Sequence, residues 1–130
     1  MARKKLGASR KEYPFEYHFC IKRNRGKAKR IIAQGGETFA EVDSKIRNAF
    51  KYDTWDHCSG FWEKEAYGGR ALAEIYPDGS GLNQDVPIGE FGLVPGMTLS
   101  YVYDFGDDLR HVVTVEDLGA ARRPSLEQRV

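Results

Sequence analysis

From Pro14 onward apolar and polar residues alternate, Phe15, Tyr17, Phe19 and Ile21 being interleaved with Glu16, His18, Cys20 and Lys22. That is the period of a strand with one face in a core. Turn chemistry follows in Asn24-Arg25-Gly26-Lys27, and Ala28 to Ala33 is short and carries the β-branched pair Ile31-Ile32, so the two segments read as a β-hairpin. After Gly35-Gly36 the period changes. Thr38 stands three residues ahead of Glu41, a capping-box spacing in which two side chains satisfy the orphan amides of a helix start. The pattern predicts a helix from Phe39 to Phe50, with Phe39, Val42, Ile46, Ala49 and Phe50 on one stripe and Glu41, Lys45 and Asn48 facing away.

Between Tyr52 and Pro77, the residues Phe61, Trp62, Tyr67, Leu72, Ile75 and Tyr76 surround Gly68-Gly69, which predicts two further strands about a glycine turn. Pro77 to Gly81 reads as a loop. Val86 to Leu93 reads as a turn or single helical turn that plugs the core through Ile88, Phe91 and Leu93. Pro95-Gly96 then launches a last hairpin, in which one face must be buried and a one-residue slip would invert every side chain. A three-residue loop of Gly106, Asp107 and Asp108 makes one face apolar by pairing Phe105 with Leu109, Tyr103 with His111, Tyr101 with Val113 and Leu99 with Val115. It also sets Asp104 beside Arg110, a sensible cross-strand neighbour. The order of elements predicts an α+β fold: a mostly antiparallel or mixed sheet with one main helix packed on one face, a β-grasp-like αβ roll. The domain is expected over residues 13–118, between a flexible basic arm at 1–12 and a tail at 119–130.

Composition narrows this picture. A chain of 130 residues with 41% hydrophobic and 30% charged residues fits one globular domain. No apolar run approaches the roughly 18 residues of a spanning helix, and the basic start MARKKLGASRKEY has no apolar stretch behind it, so the expected location is the cytoplasm, away from membranes. Cys20 and Cys58 read as two reduced thiols rather than a disulfide framework.

Charge changes the picture more. The net charge of +1 conceals a split, because residues 1–30 hold 11 of the 20 Lys and Arg but only Glu12 and Glu16 of the 19 acids. Lys22, Arg23, Arg25, Lys27, Lys29 and Arg30 would crowd the tip of the first hairpin, a layout suited to a polyanion such as DNA or RNA. Exposed Tyr13 or Trp55 would add stacking. Lysine also guards sheet edges without any ligand, so the same residues fit a solvated edge equally well.

A second constellation is Asp104, Asp107, Asp108 and His111, since hard carboxylates with an imidazole can hold a divalent ion or share acid and base roles. Against it, Asp104 can pair with Arg110, Asp107 and Asp108 suit a turn, and the register places His111 on the apolar face. An EF-hand is excluded, because counting from Asp104 puts Leu109 in the glycine position and Val115 in the glutamate position. Asp104-Phe105-Gly106 matches the kinase magnesium motif by accident, as no glycine-rich loop or catalytic loop accompanies it. His18, Cys20, His57 and Cys58 lack the spacing of a structural zinc site. No nucleophile elbow or phosphate-binding loop is present.

The segment Leu99-Ser100-Tyr101-Val102-Tyr103-Asp104-Phe105-Gly106-Asp107-Asp108-Leu109-Arg110-His111-Val112-Val113-Thr114-Val115-Glu116 resembles the signature of the Ri-plasmid open-reading-frame-three-like family, above all in its Tyr-Asp-Phe-Gly-Asp core followed by His. The similarity takes in Tyr13 to Leu118, including the Lys29-Arg30 strand, the helix and Trp55-Asp56-His57. Members include passenger proteins of insertion elements. The resemblance implies an α+β fold and a mobile-element context, with no established activity. Two departures stand out: Leu109 occupies the place of an aromatic residue, and a His-rich run after the helix is reduced to His57-Cys58.

Three functional expectations follow. The first is a non-enzymatic nucleic-acid-binding module without a cofactor, using the hairpin cations. The second is a metal-dependent hydrolase or nuclease centred on the four residues Asp104, Asp107, Asp108 and His111. The third is a protein-interaction module that offers a sheet edge to another chain.

Overall fold

A computed structural model describes residues 13–120. Six strands, β1 (Phe15–Arg23), β2 (Lys29–Gln34), β3 (Ser59–Glu63), β4 (Ala71–Ile75), β5 (Thr98–Tyr103) and β6 (Leu109–Ala120), form one sheet in the order β2-β1-β6-β5-β3-β4. Every pairing is antiparallel, the one between β1 and β6 included. The mixed sheet that a β-grasp-like roll would allow is therefore absent, although the hairpin does precede the helix as expected.

Helix α1 (Phe39–Phe50) lies across one face and touches both edge strands, β2 and β4. Its start is the predicted capping box: the Glu41 amide donates to Thr38 Oγ1 at 3.2 Å and the Thr38 amide donates to Glu41 Oε1 at 2.9 Å. It ends at Lys51, whose left-handed φ of 64° lets its amide reach back to the carbonyls of Arg47 and Asn48. The helix buries Phe39, Val42 and Ile46 against Tyr17, Phe19, Ile21, Phe61, Leu99, Tyr101 and Val113 from the sheet. Phe39 packs at a tilt against Phe61 with centroids 4.6 Å apart, and Phe61 likewise against Tyr101 at 4.8 Å. The 3-10 turn Ile88–Phe91 closes the end of this core through Ile88, with Leu93 behind it.

The opposite face carries a small second cluster in which Trp62, Ala66 and Val102 are covered by the 64–70 turn. That turn depends on Gly69, where an added Cβ would lie 1.8 Å from the carbonyl oxygen of Glu63. Only a residue without a side chain lets the chain pass so close. The β4 edge is sealed by the loop that follows it: the Glu74 amide donates to the Leu82 carbonyl, Asn83 Nδ2 to the Leu72 carbonyl, and Gln84 both accepts from the Tyr76 amide and donates to the Tyr76 carbonyl.

Two expectations are corrected. The last hairpin pairs Tyr103 with Leu109, Tyr101 with His111 and Leu99 with Val113, a shift of two residues from the register read from sequence. The shift is even, so Tyr103, Tyr101 and Leu99 keep the helix-side face, but Phe105 leaves the strand and packs on the opposite face against Trp62 and the buried Val102. Its cause is Asp104, which takes a left-handed φ of 63° and accepts the amides of Gly106 and Asp107 on its carboxylate, while its carbonyl accepts the Asp108 amide. The loop is thus Asp104 to Asp108. Arg110 consequently pairs with Asp108 at 2.9 Å and not with Asp104. The second correction is that β6 continues beyond Leu118 to Ala120, because Leu118, Gly119 and Ala120 pair with Tyr17, Glu16 and Phe15. The arm at 1–12 and the tail from 121 lie outside the described residues. Among the described residues no helix is long and apolar enough to cross a membrane.

Candidate nucleic-acid interface and the buried polar centre

Strand alternation fixes where the hairpin cations stand. Lys22 pairs with Val112 and Arg23 with His111; Lys29 pairs with Ile21 and Arg30 with Cys20. Since Ile21 and His111 face the helix side, Arg23 and Lys29 belong to that side and Lys22 and Arg30 to the other. Arg25 and Lys27 stand in the exposed turn between the strands. The six cations therefore gather at one end of the sheet while pointing to both of its faces. Arg30 is occupied, donating to both oxygens of Glu116 at 3.0 and 3.2 Å, and Arg23 lies against the Tyr52 hydroxyl. Lys22, Arg25, Lys27 and Lys29 have no ion-pair partner among the described residues.

The four residues of the acidic constellation do not converge. Asp104 and Asp108 shape the loop, and Asp104 Oδ2 lies 3.4 Å from His57 Nδ1, a neighbour that the sequence did not suggest. His111 points away from the carboxylates into the core, 2% exposed and enclosed by the rings of Phe50, Tyr52 and Tyr101. Its Nε2 meets the Tyr52 hydroxyl at 3.0 Å and its Nδ1 the Tyr101 carbonyl at 3.3 Å. Burial, with Arg23 nearby, pushes its pKa down to about 4. The ring is neutral at pH 7, with Tyr52 donating to Nε2 and Nδ1 donating to the carbonyl. Among the described residues no group of three His, Cys, Asp or Glu side chains is placed to hold a metal ion.

A buried polar centre lies beneath α1 instead. Asp43 and Arg47 are 3% and 2% exposed. Asp43 Oδ1 accepts from Ser59 at 2.7 Å, from Tyr101 at 2.5 Å and from Arg47 Nε at 3.1 Å. Arg47 gives its remaining hydrogens to the carbonyls of Asp53, Asp56 and His57 and to Ser59 Oγ. All five donors of the guanidinium are thereby used, and its Cζ lies over the Tyr103 ring, 4.9 Å from the centre. Burial opposes the charge on Arg47, but the adjacent Asp43 carboxylate outweighs it and raises the pKa. Tyr101 is raised well above its ordinary value by burial and by Asp43, which keeps its hydroxyl protonated and donating. This centre forms the floor of a cleft of about 310 Å³ whose rim includes Trp55, 74% exposed, and Tyr76. Because every polar atom on the floor already has a partner, the centre's chemistry is that of a staple holding the 53–57 loop against the helix.

Sequence reasoning passed over this pair, since an Asp and an Arg beside an apolar stripe carry no local sign of burial. The available signal was their position: on a helical wheel Asp43 and Arg47 follow Phe50 by about 20° and about 60°, bordering the apolar arc and not opposite it.

These features define the class as an α+β domain with a helix on one face of an antiparallel sheet, a basic hairpin at one end and a self-satisfied polar centre. More narrowly, the chain belongs to the family of plasmid pRiA4b ORF-3-like proteins, whose model matches residues 22–128. Among solved structures, a protein of unknown function from Methanosarcina mazei Go1 is similar in fold, with a TM-score of 0.64 and 16% identity over 85% of this chain. The match spans 64% of that protein's length. No curated protein matches.

Proposed function

We propose that this domain is a non-enzymatic binding module for nucleic acid, engaged through the tip of the β1–β2 hairpin. The observation that carries the reading is the set Lys22, Arg25, Lys27 and Lys29, exposed around one turn without ion-pair partners among the described residues. Several other cations of the domain are matched: Arg30 with Glu116, Lys45 with Glu37, Arg70 with Glu63 and Arg110 with Asp108. Four unmatched cations on a stiff ribbon are held close together against their own repulsion, and phosphate groups would relieve it while releasing counterions. The plasmid origin in the family's description agrees with a role close to nucleic acid.

The test is fluorescence anisotropy with a labelled oligonucleotide, comparing the protein with the double variant Lys27→Glu/Lys29→Glu. The variant is expected to bind at least tenfold more weakly at about 0.1 M salt, with a shallower dependence on salt. Equal binding by the two proteins would remove the hairpin from the interface.

A further inference from the structure

The sheet face opposite the helix carries a groove of about 420 Å³ between the end of β1 and the 64–66 turn. Lys22, Lys64 and Arg110 stand around it, and Ser100 and Val112 line it. Lys22, Val112 and Ser100 are in register across three adjacent strands, so the floor is a short row running from the hairpin toward β3. Val112 is 51% exposed there, an apolar side chain on an otherwise charged surface. Lys64 makes no ion pair among the described residues, and the one ion pair of Arg110 among them is with Asp108, both side chains being about half exposed. A pair so open to water contributes little and exchanges readily for another anion. Beside Arg110 stands Tyr67, half exposed, with the guanidinium 5.3 Å from its ring centre.

We infer that this groove is the path of a single-stranded nucleic acid, which leaves the hairpin tip at Lys22, lays its phosphates against Lys64 and Arg110, and sets a base on Val112. The inference rests on the nucleic-acid reading above and adds to it a route and a strand preference. The strand preference comes from the mixture of surfaces. Cations alone would accept phosphates from a duplex as well, but the exposed Val112 side chain among them has a use only for unstacked bases. A duplex hides those faces inside its stack. The groove is also continuous with the tip, since Lys22 belongs to both.

The experiment measures binding of a labelled 20-nucleotide single strand, and of the same sequence as a duplex, to the full chain and to three variants: Lys64→Glu, Val112→Glu and Lys27→Glu/Lys29→Glu. Circular dichroism melts confirm that each is folded. Lys64 and Val112 are exposed or half-exposed positions, so both variants should keep the native melt. The expected result is that Lys64→Glu and Val112→Glu each weaken single-strand binding about tenfold, and that Lys64→Glu flattens the slope of log K against log salt by about 0.7. The intact chain should also favour the single strand over the duplex. If the tip variant loses affinity while Lys64→Glu and Val112→Glu do not, or if the duplex binds as well as the single strand, the groove is not the path and the hairpin reading survives. If the intact chain binds neither, both readings fall.

Discussion

Acidification should weaken this domain through one side chain. His111 is enclosed by three rings and makes both of its polar contacts as a neutral ring, and its pKa is held at about 4 against 6.5 in an unfolded chain. Between those values the unfolded chain takes up a proton that the folded one refuses, so stability falls as pH falls. The stabilisation is complete above about pH 6.5, declines by up to about 1.4 kcal/mol per pH unit, and is lost once the pH is below about 4. Moving from pH 7 to pH 5 should cost about 2 kcal/mol from this group, and the full loss is about 3 kcal/mol. Carboxylates titrate in the lower part of this range too, so the measurement needs a difference. Urea unfolding of the intact chain and of His111→Phe at pH 7, 6 and 5 supplies it, because His18 and His57 are common to both proteins. The variant loses the partner of the Tyr52 hydroxyl and should be less stable at pH 7, but its stability should fall by about 2 kcal/mol less on going to pH 5. In a proton NMR titration the His111 ring should show no inflection above pH 5. Parallel pH curves for the two proteins, or an inflection near 6.5, would refute the reasoning.

Three other changes probe the frame. Arg47→Met leaves a buried carboxylate and three backbone carbonyls without their donor, and should lower the unfolding free energy by about 3–5 kcal/mol in urea titration; adding Asp43→Leu should restore part of that loss. Lys51→Gly relieves a left-handed residue at the end of α1 and should raise stability by about 0.5–1 kcal/mol, seen as a higher urea midpoint. Gly69→Ala drives a methyl group into the Glu63 carbonyl and should lower the melting temperature by several degrees, on the order of 1–3 kcal/mol.

The sequence made legible those elements whose local chemistry and tertiary packing agree. The alternation from Phe15 to Lys22 became β1, and Thr38 with Glu41 became the helix cap, because each pattern has one physical solution. The faces of the last hairpin were legible for the same reason. Its partners were not, since the extra length of the loop depends on Asp104 entering a left-handed conformation that asparagine or aspartate only sometimes adopts. The acidic constellation looked like a site because Asp104, Asp107, Asp108 and His111 are close in sequence; in space the strand that follows carries His111 into the core, and Asp104 meets His57 instead. Asp43 and Arg47 were hidden because they border the apolar stripe of the helix without joining it. Their partners Ser59 and Tyr101 come from β3 and β5, and no local pattern announces so distant a match.

The two borders of the sheet differ in a way that limits how copies of this protein can meet. The loop 81–84 already occupies outer hydrogen-bonding groups of β4, whereas among the described residues β2 has no strand on its outer side, only Lys45 on the Ile32 carbonyl and Glu37 on the Gln34 amide, and keeps others away with Lys29 and Arg30. With a single border available, joining strand to strand consumes it in both molecules at once. Removal of those two charges would therefore yield a closed pair related by a two-fold axis, and growth into a filament would have no second end from which to continue.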